Sequence, residues 1–231
     1  MNINMYFYLG IYFALSTLGR LVLPAPVPET QHTLDTKDME VMRSSEFQDA
    51  AENALSLIMK IISKIPAVHK SLIYTKTLSL DESDLSTLQF LKETLDLPEP
   101  SPLQPLSDNF ALDISLGRIF EGLTLHKILL KVISELPHFK SEKLSELLYD
   151  LRDTLLQIHK MQQHFIKATN GPEKVTESQL REDLAPKIEN EYISQVAAHL
   201  ALIQLREFTR DVSRSLQSMI ISPVEHEPED S

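Results

Sequence analysis

The chain has 231 residues, 33 acidic against 22 basic for a net charge of −11, 42% apolar residues, five glycines and no cysteine. That size supports one domain with its own core, and the acidity argues against a nucleic-acid binder, whose footprint is a basic patch. Absent cysteine removes disulfides, thiolate metal sites and cysteine nucleophiles, while scarce glycine disfavours β-sandwiches, phosphate-cradling loops and dinucleotide-binding turns.

From Met5 to Leu18 runs an uncharged stretch of fourteen residues, with the first charge at Arg20. It is shorter than the roughly twenty apolar residues a spanning helix needs and suits the apolar region of a secretory signal. The expectation is a signal peptide over residues 1–19, cleavage before Arg20, and a secreted, extracellular chain with no membrane insertion afterwards. An uncleaved anchor running on through Leu23 is the alternative. Residues 20–45 then read as an extended N-terminal segment opening on Pro24-Ala25-Pro26-Val27-Pro28.

Segment A, from about Glu46 to Tyr74, places Phe47, Ala51, Ala54, Ile58, Ile61, Ile65, Val68 and Leu72 at spacings of three and four, the mark of one buried helix face. Ser45 with Gln48 predicts a capping box, and Pro66 predicts a kink or a break near Lys64. An amphipathic stretch from Asp84 to Leu95, stopped before Pro98, predicts a short helix. Segment B follows, from about Asp108 to Glu135, with Ser107 as its cap and Pro137 as its stop. Segment C starts after Ser141 and carries Leu144, Leu148, Leu151, Leu155, Ile158 and Phe165 until Asn170-Gly171-Pro172 closes it. Segment D follows Pro186, with Tyr192, Val196, Leu200, Ile203, Val212, Leu216 and Met219 on one stripe. The acidic end, 222–231, reads as disordered.

The connections select a topology. About thirty residues join A to B and nearly twenty join C to D, but only about five join B to C. A short link makes antiparallel neighbours, and a long one can carry the chain back along the helices before the next begins. Residues 46–221 are therefore expected to form an all-α, up-up-down-down long-chain four-helix bundle with a short extra helix in the A–B crossover.

Chemistry is harder to find. No HExxH is present, Glu135-x-x-His138 is interrupted by Pro137, and no GxSxG or phosphate-binding loop occurs. Neither catalytic residues, metal ligands nor a cofactor are expected, and the chain reads as a non-enzyme. One surface does stand out. Opposite the leucine stripe of segment C lie Glu146, Asp150, Asp153, Gln157 and Lys160, and neither aspartate has a Lys or Arg three or four residues away. Like charges at this spacing cost an isolated helix about 0.2–0.5 kcal/mol per pair, so the acidic stripe reads either as ordinary surface or as a docking face for a basic partner. Gly117 and Gly122 inside segment B each call for a close helix or loop approach, and His126 reads as a half-buried packing residue.

The stretch from Gly122 to Phe165 resembles the granulocyte colony-stimulating factor branch of the interleukin-6 group of long-chain helical cytokines. Gly122, Leu123 and Leu130 match the group's signature, while His126 stands at its aromatic position and Pro105 and Ser115 at its cysteines, making this a cysteine-free, divergent member. The resemblance implies a major receptor contact at Asp150 and Asp153, with Glu146 beside them, and at the outward face of segment A, where Asp49, Glu52, Asn53, Ser56 and Lys60 should show and Glu52 is the contact candidate. It implies a second contact at Asp84-Leu85, opening the short helix. The implied partner is a class I cytokine receptor engaged as two chains and signalling through Janus kinases toward granulocyte proliferation and differentiation. Another cytokine of the interleukin-6 group, or a secreted helical carrier of lipid or a small apolar ligand, are the alternatives.

Overall fold

A computed structural model of the chain describes residues 36–80, 85–103, 111–136, 139–163, 176–188 and 190–220. Every regular element among them is a helix, as the three-and-four spacing of apolar residues demands. The expected signal segment, Ser107, Asp84, the expected stop at Asn170-Gly171-Pro172 and the acidic tail lie outside the described residues.

Helix α1, Thr36–Arg43, corrects the expectation that residues 20–45 are extended. Asp38 in its first turn and Arg43 in its last complement the helix dipole. Met42 is buried in the core. Helix α2, Ser45–Leu72, is capped one residue earlier than expected. Ser44 accepts the Phe47 N–H at 3.3 Å, and Gln48 donates to the Met219 carbonyl at 3.1 Å instead of closing a capping box. Pro66 does not break α2. It removes the N–H that would bond the Ile62 carbonyl, but Ile65 and Val68 on either side are buried and hold the helix to the core.

The short helix α3, Leu85–Leu95, ends at Asp96 in the left-handed region with φ 46°. Lys187 donates to the Leu95 carbonyl at 2.9 Å, placing a cation at that C-terminus. Helix α4, Leu112–Ser134, begins four residues later than expected. Its first N–H, that of Leu112, is accepted by Asp38 of α1 at 3.2 Å. Helix α5 spans Glu142–Gln162. Helix α6, Glu177–Leu184, adds an element that apolar spacing does not predict: Thr176 caps it by accepting the Gln179 N–H, and a 3₁₀ turn over Ala185–Lys187 holds Pro186. Helix α7, Glu191–Met219, therefore starts at an Asn190 cap that accepts the Ile193 N–H at 3.0 Å, not at Pro186.

The four long helices, α2, α4, α5 and α7, share one apolar core that includes Phe47, Ile58, Ile65, Leu116, Leu123, Leu151, Val196 and Leu216. Burying one such side chain fully is worth about 1.5–3 kcal/mol. Contacts between α2 and α5 run in reverse order: Lys60 meets Asp150, Lys64 meets Glu146, and Ser71 meets Ser141. Those between α2 and α7 do the same, Gln48 meeting Met219, Met59 meeting Ser213, and His69 meeting His199. Helix α4 packs on both α5 and α7. Every residue of α7 from Ser194 to Ile203 is buried, because α2, α3 and α4 surround it. Among the described residues no helix is long and apolar enough to cross a membrane.

Gly122 explains itself in this packing. A Cβ there would lie 2.1 Å from Phe208 Cζ, so α4 and α7 meet only because the side chain is missing. At Gly117 nothing among the described residues lies within 4 Å of where a Cβ would stand, so no close approach there accounts for that glycine, contrary to expectation.

Candidate functional site

The acidic residues of α5 do not share one face. Leu147 and Thr154, three before and four after Asp150, are both buried and turn that part of the helix toward α2. Asp150 follows them inward and is only 5% exposed, which corrects its placement on the outward surface. It is balanced from across the interface. Lys60 Nζ lies 2.7 Å from Oδ1, Lys64 Nζ lies 2.7 Å from Oδ2, and Lys64 also reaches Glu146 Oε2 at 3.1 Å. The missing intrahelical cations are supplied by α2, about ninety residues earlier in the chain.

Electrostatics follow from that geometry. Burial alone would raise the Asp150 carboxyl, but the hydrogen bonds and charges of Lys60 and Lys64 outweigh it and hold the group below its ordinary value. The same bond from Asp150 raises the Lys64 ammonium above its ordinary value, against the opposing effect of burial, with Glu146 adding to the rise. The arrangement is an ion-pair lock between two helices. It leaves Asp150 no free face for a partner.

The other candidates divide. The Glu146 and Asp153 side chains are 53% and 44% exposed, and one Asp153 oxygen, Oδ1, accepts from both Nη2 and Nε of its neighbour Arg152 at 2.9 and 3.1 Å. Asp49, Glu52, Asn53, Ser56 and Lys60 lie on the outward side of α2, as the helical spacing requires, and all five are exposed. Glu52 lies about two turns before Lys60 and takes no part in the lock. Asp84 is outside the described residues, and Leu85 is the first residue of α3.

Two residues that neither the charge pattern nor the leucine stripe singles out belong to this surface. Tyr149 and Leu156, seven apart on α5, are both exposed. Arg152 stands between them, its guanidinium 5.3 Å from the centre of the Tyr149 ring. Their apolar letters fall outside the leucine stripe at helical spacing, and that departure is the signal the sequence offers.

Elsewhere, a cleft of about 770 Å³ between α3 and α7 has Leu200, Ile203 and Phe208 on one wall and the carboxylates Glu93, Asp96, Glu99, Glu207 and Asp211 around it, with Lys92, paired to Glu99, as the one cation lining it among the described residues. A rim of that sign repels a fatty-acid headgroup. Among the described residues no group of three His, Cys, Asp or Glu side chains could hold a metal ion.

His126 is fully buried rather than half-buried, its ring 5.3 Å from that of Phe208. No protein-family model matches the chain, and no curated protein matches it either.

Proposed function

We propose that the chain is a secreted helical cytokine with up-up-down-down connectivity, acting by binding and pairing a class I cytokine receptor of the granulocyte colony-stimulating factor type to drive myeloid proliferation and differentiation. The observation that carries this reading is the order of contacts among the long helices. Helix α2 meets both α5 and α7 in reverse order, and the short link joins α4 to α5 as neighbours. Two parallel helices followed by two running the other way satisfy all of these pairings.

The mechanism requires no bond chemistry. A rigid helical body presents one patch to each of two receptor chains. The major patch is assigned to the exposed carboxylates Glu146 and Asp153 of α5, the Tyr149–Arg152–Leu156 ridge beside them, and Glu52 of α2. Exposed carboxylates set encounter rate and orientation, and the aromatic and Arg side chains supply desolvated anchors. The opening of α3 at Asp84-Leu85 is assigned to the second receptor chain. Asp150 acts one step back, holding α2 and α5 in register so that the patch keeps its shape.

The test is receptor phosphorylation in cells carrying that receptor, after addition of the purified chain from Arg20 onward, beside the Glu146→Lys/Asp153→Lys variant. A response that the variant loses supports the partner and the patch together. A response that survives in the variant keeps the partner and removes the patch. Silence from a well-folded chain removes this receptor as the partner.

A further inference from the structure

Helix α7 is held on two sides by buried histidines. On the α4 side, His126 is completely enclosed, its ring packed on Phe208, and neither ring nitrogen meets a hydrogen-bond partner among the described residues. A leucine would fill the same space without two unsatisfied polar atoms, and buried groups left in that state ask for an explanation. On the α2 side, His69 Nε2 lies 2.9 Å from His199 Nδ1 in a buried edge-on pair. Such a contact suits neutral rings, with one nitrogen donating and the other accepting. Protonating both rings turns both facing nitrogens into donors.

The surroundings of His126 and His199 favour the neutral state. Burial, then His69 and Arg206, hold His199 down to about 4, and burial alone holds His126 down to about 4. Arg206 and Glu207 precede Phe208 on α7, but Arg206 donates to the Leu80 carbonyl at 3.1 Å and Glu207 is exposed on the α3 cleft. On α4 the neighbouring Lys127 adds another positive charge. Close to the His69–His199 pair, Lys70 follows on α2, and Gln195 on α7 is neutral and occupied with the Tyr74 and Thr75 N–H groups. Glu191, at the start of α7, is engaged with the Tyr74 hydroxyl.

The α2–α5 interface yields to acid only at lower pH, because its Asp150 carboxyl is held low and stays ionised where histidines take up protons. We propose that His126 and the His69–His199 pair are an acid-operated latch that releases α7 from α2 and α4 near pH 5 while the α2–α5 lock stays closed. Linkage sets the size. A histidine that titrates near 6.5 when released and near 4 when packed favours release about thirtyfold at pH 5, and two such groups favour it roughly a thousandfold.

The test is hydrogen exchange of the full chain read by mass spectrometry at pH 7 and pH 5, corrected for the intrinsic exchange rate. Opening of α7 should become roughly five-hundredfold more frequent at pH 5 than at pH 7, with α2 and α5 peptides less affected. In His126→Leu the gain should fall to about twentyfold. An equal gain in all helices would mean global acid unfolding and overturn the latch, as would an unchanged gain in a folded His126→Leu chain. NMR titration of the wild-type histidines decides the matter without any variant: buried rings that titrate near the ordinary value in the packed protein would overturn it.

Discussion

Lys64 Nζ on α2 stands 2.7 Å from Asp150 Oδ2 on α5, and the same ammonium reaches Glu146 Oε2 at 3.1 Å. Lys60 and Lys64 are four apart on one helix, and Glu146 and Asp150 are four apart on the other, so the two pairs mesh only when the helices run in opposite directions at one register. A slip of one turn would leave Asp150 buried with a single lysine. The lock thus specifies an arrangement as much as it stabilises one.

Removing its carboxylate should show that. Asp150→Ala leaves two lysines facing a hole between helices, and the expected cost is about 2–3 kcal/mol, moderated because Lys60 can turn to water. Asp153→Ala, on the exposed side of the same helix, should stay within about 0.5 kcal/mol of wild type. Urea denaturation followed by circular dichroism checks both, and equal effects would place Asp150 on the surface after all.

This pair also shows how much of the fold and the site is legible without a structure. The four long helices and the short α3 follow from apolar periodicity, which survives translation into structure because helix faces are set by local geometry. Asp150 reads as outward because a charged letter in a periodic run reads as solvent-facing. Its burial depends on Leu147 and Thr154 turning it inward and on cations about ninety residues away, and no helical wheel contains them. Helices α1 and α6 escape notice because eight residues offer too few turns for a stripe. Helix α6 is held instead by its Thr176 cap and ion pairs such as Lys131–Glu177 at 2.7 Å, and α1 by buried Met42 and the bond from the Leu112 N–H to Asp38. Ser44 and Ser45 both read as caps, and in the fold Ser44 takes the role while Gln48 donates to the end of α7. Among the proposed contact residues, exposure of Glu52 and Asp153 is readable, but the Tyr149–Arg152–Leu156 ridge stays hidden from a reading that follows charge.

The lock has a pH signature with a definite sign. A lysine raised in the folded state contributes stability that is present below its unfolded value of 10.5 and lost as pH rises through the folded value. Asp150, held low, contributes stability present above its unfolded value of 3.8 and lost as pH falls through the folded one. Wild type should therefore lose stability faster than Asp150→Asn as pH climbs past 10.5, measured by urea midpoints. Parallel alkaline limbs in the two proteins would mean that Lys64 is not raised by Asp150.

The two helical glycines should respond oppositely to alanine. Gly122→Ala forces a methyl into the Phe208 ring, and the overpacking cost of about 1–3 kcal/mol exceeds the roughly 1 kcal/mol gained in helix propensity. Phe208→Leu in the same chain should recover part of the loss. Gly117→Ala meets nothing within 4 Å among the described residues and should raise stability by about 0.5–1 kcal/mol. Thermal melts of the three variants check this, and a stabilised Gly122→Ala would contradict the close approach of α4 and α7.

The most direct measurement is binding of the folded chain to an immobilised class I cytokine receptor ectodomain, followed by surface plasmon resonance at low and physiological salt. The account predicts saturable binding whose association rate falls with salt. The rate should drop about tenfold or more in Glu146→Lys/Asp153→Lys, while Asp150→Asn, if folded, associates at close to the wild-type rate. A helical, monodisperse chain that binds neither this receptor nor those of the sister interleukin-6-group cytokines would contradict the account.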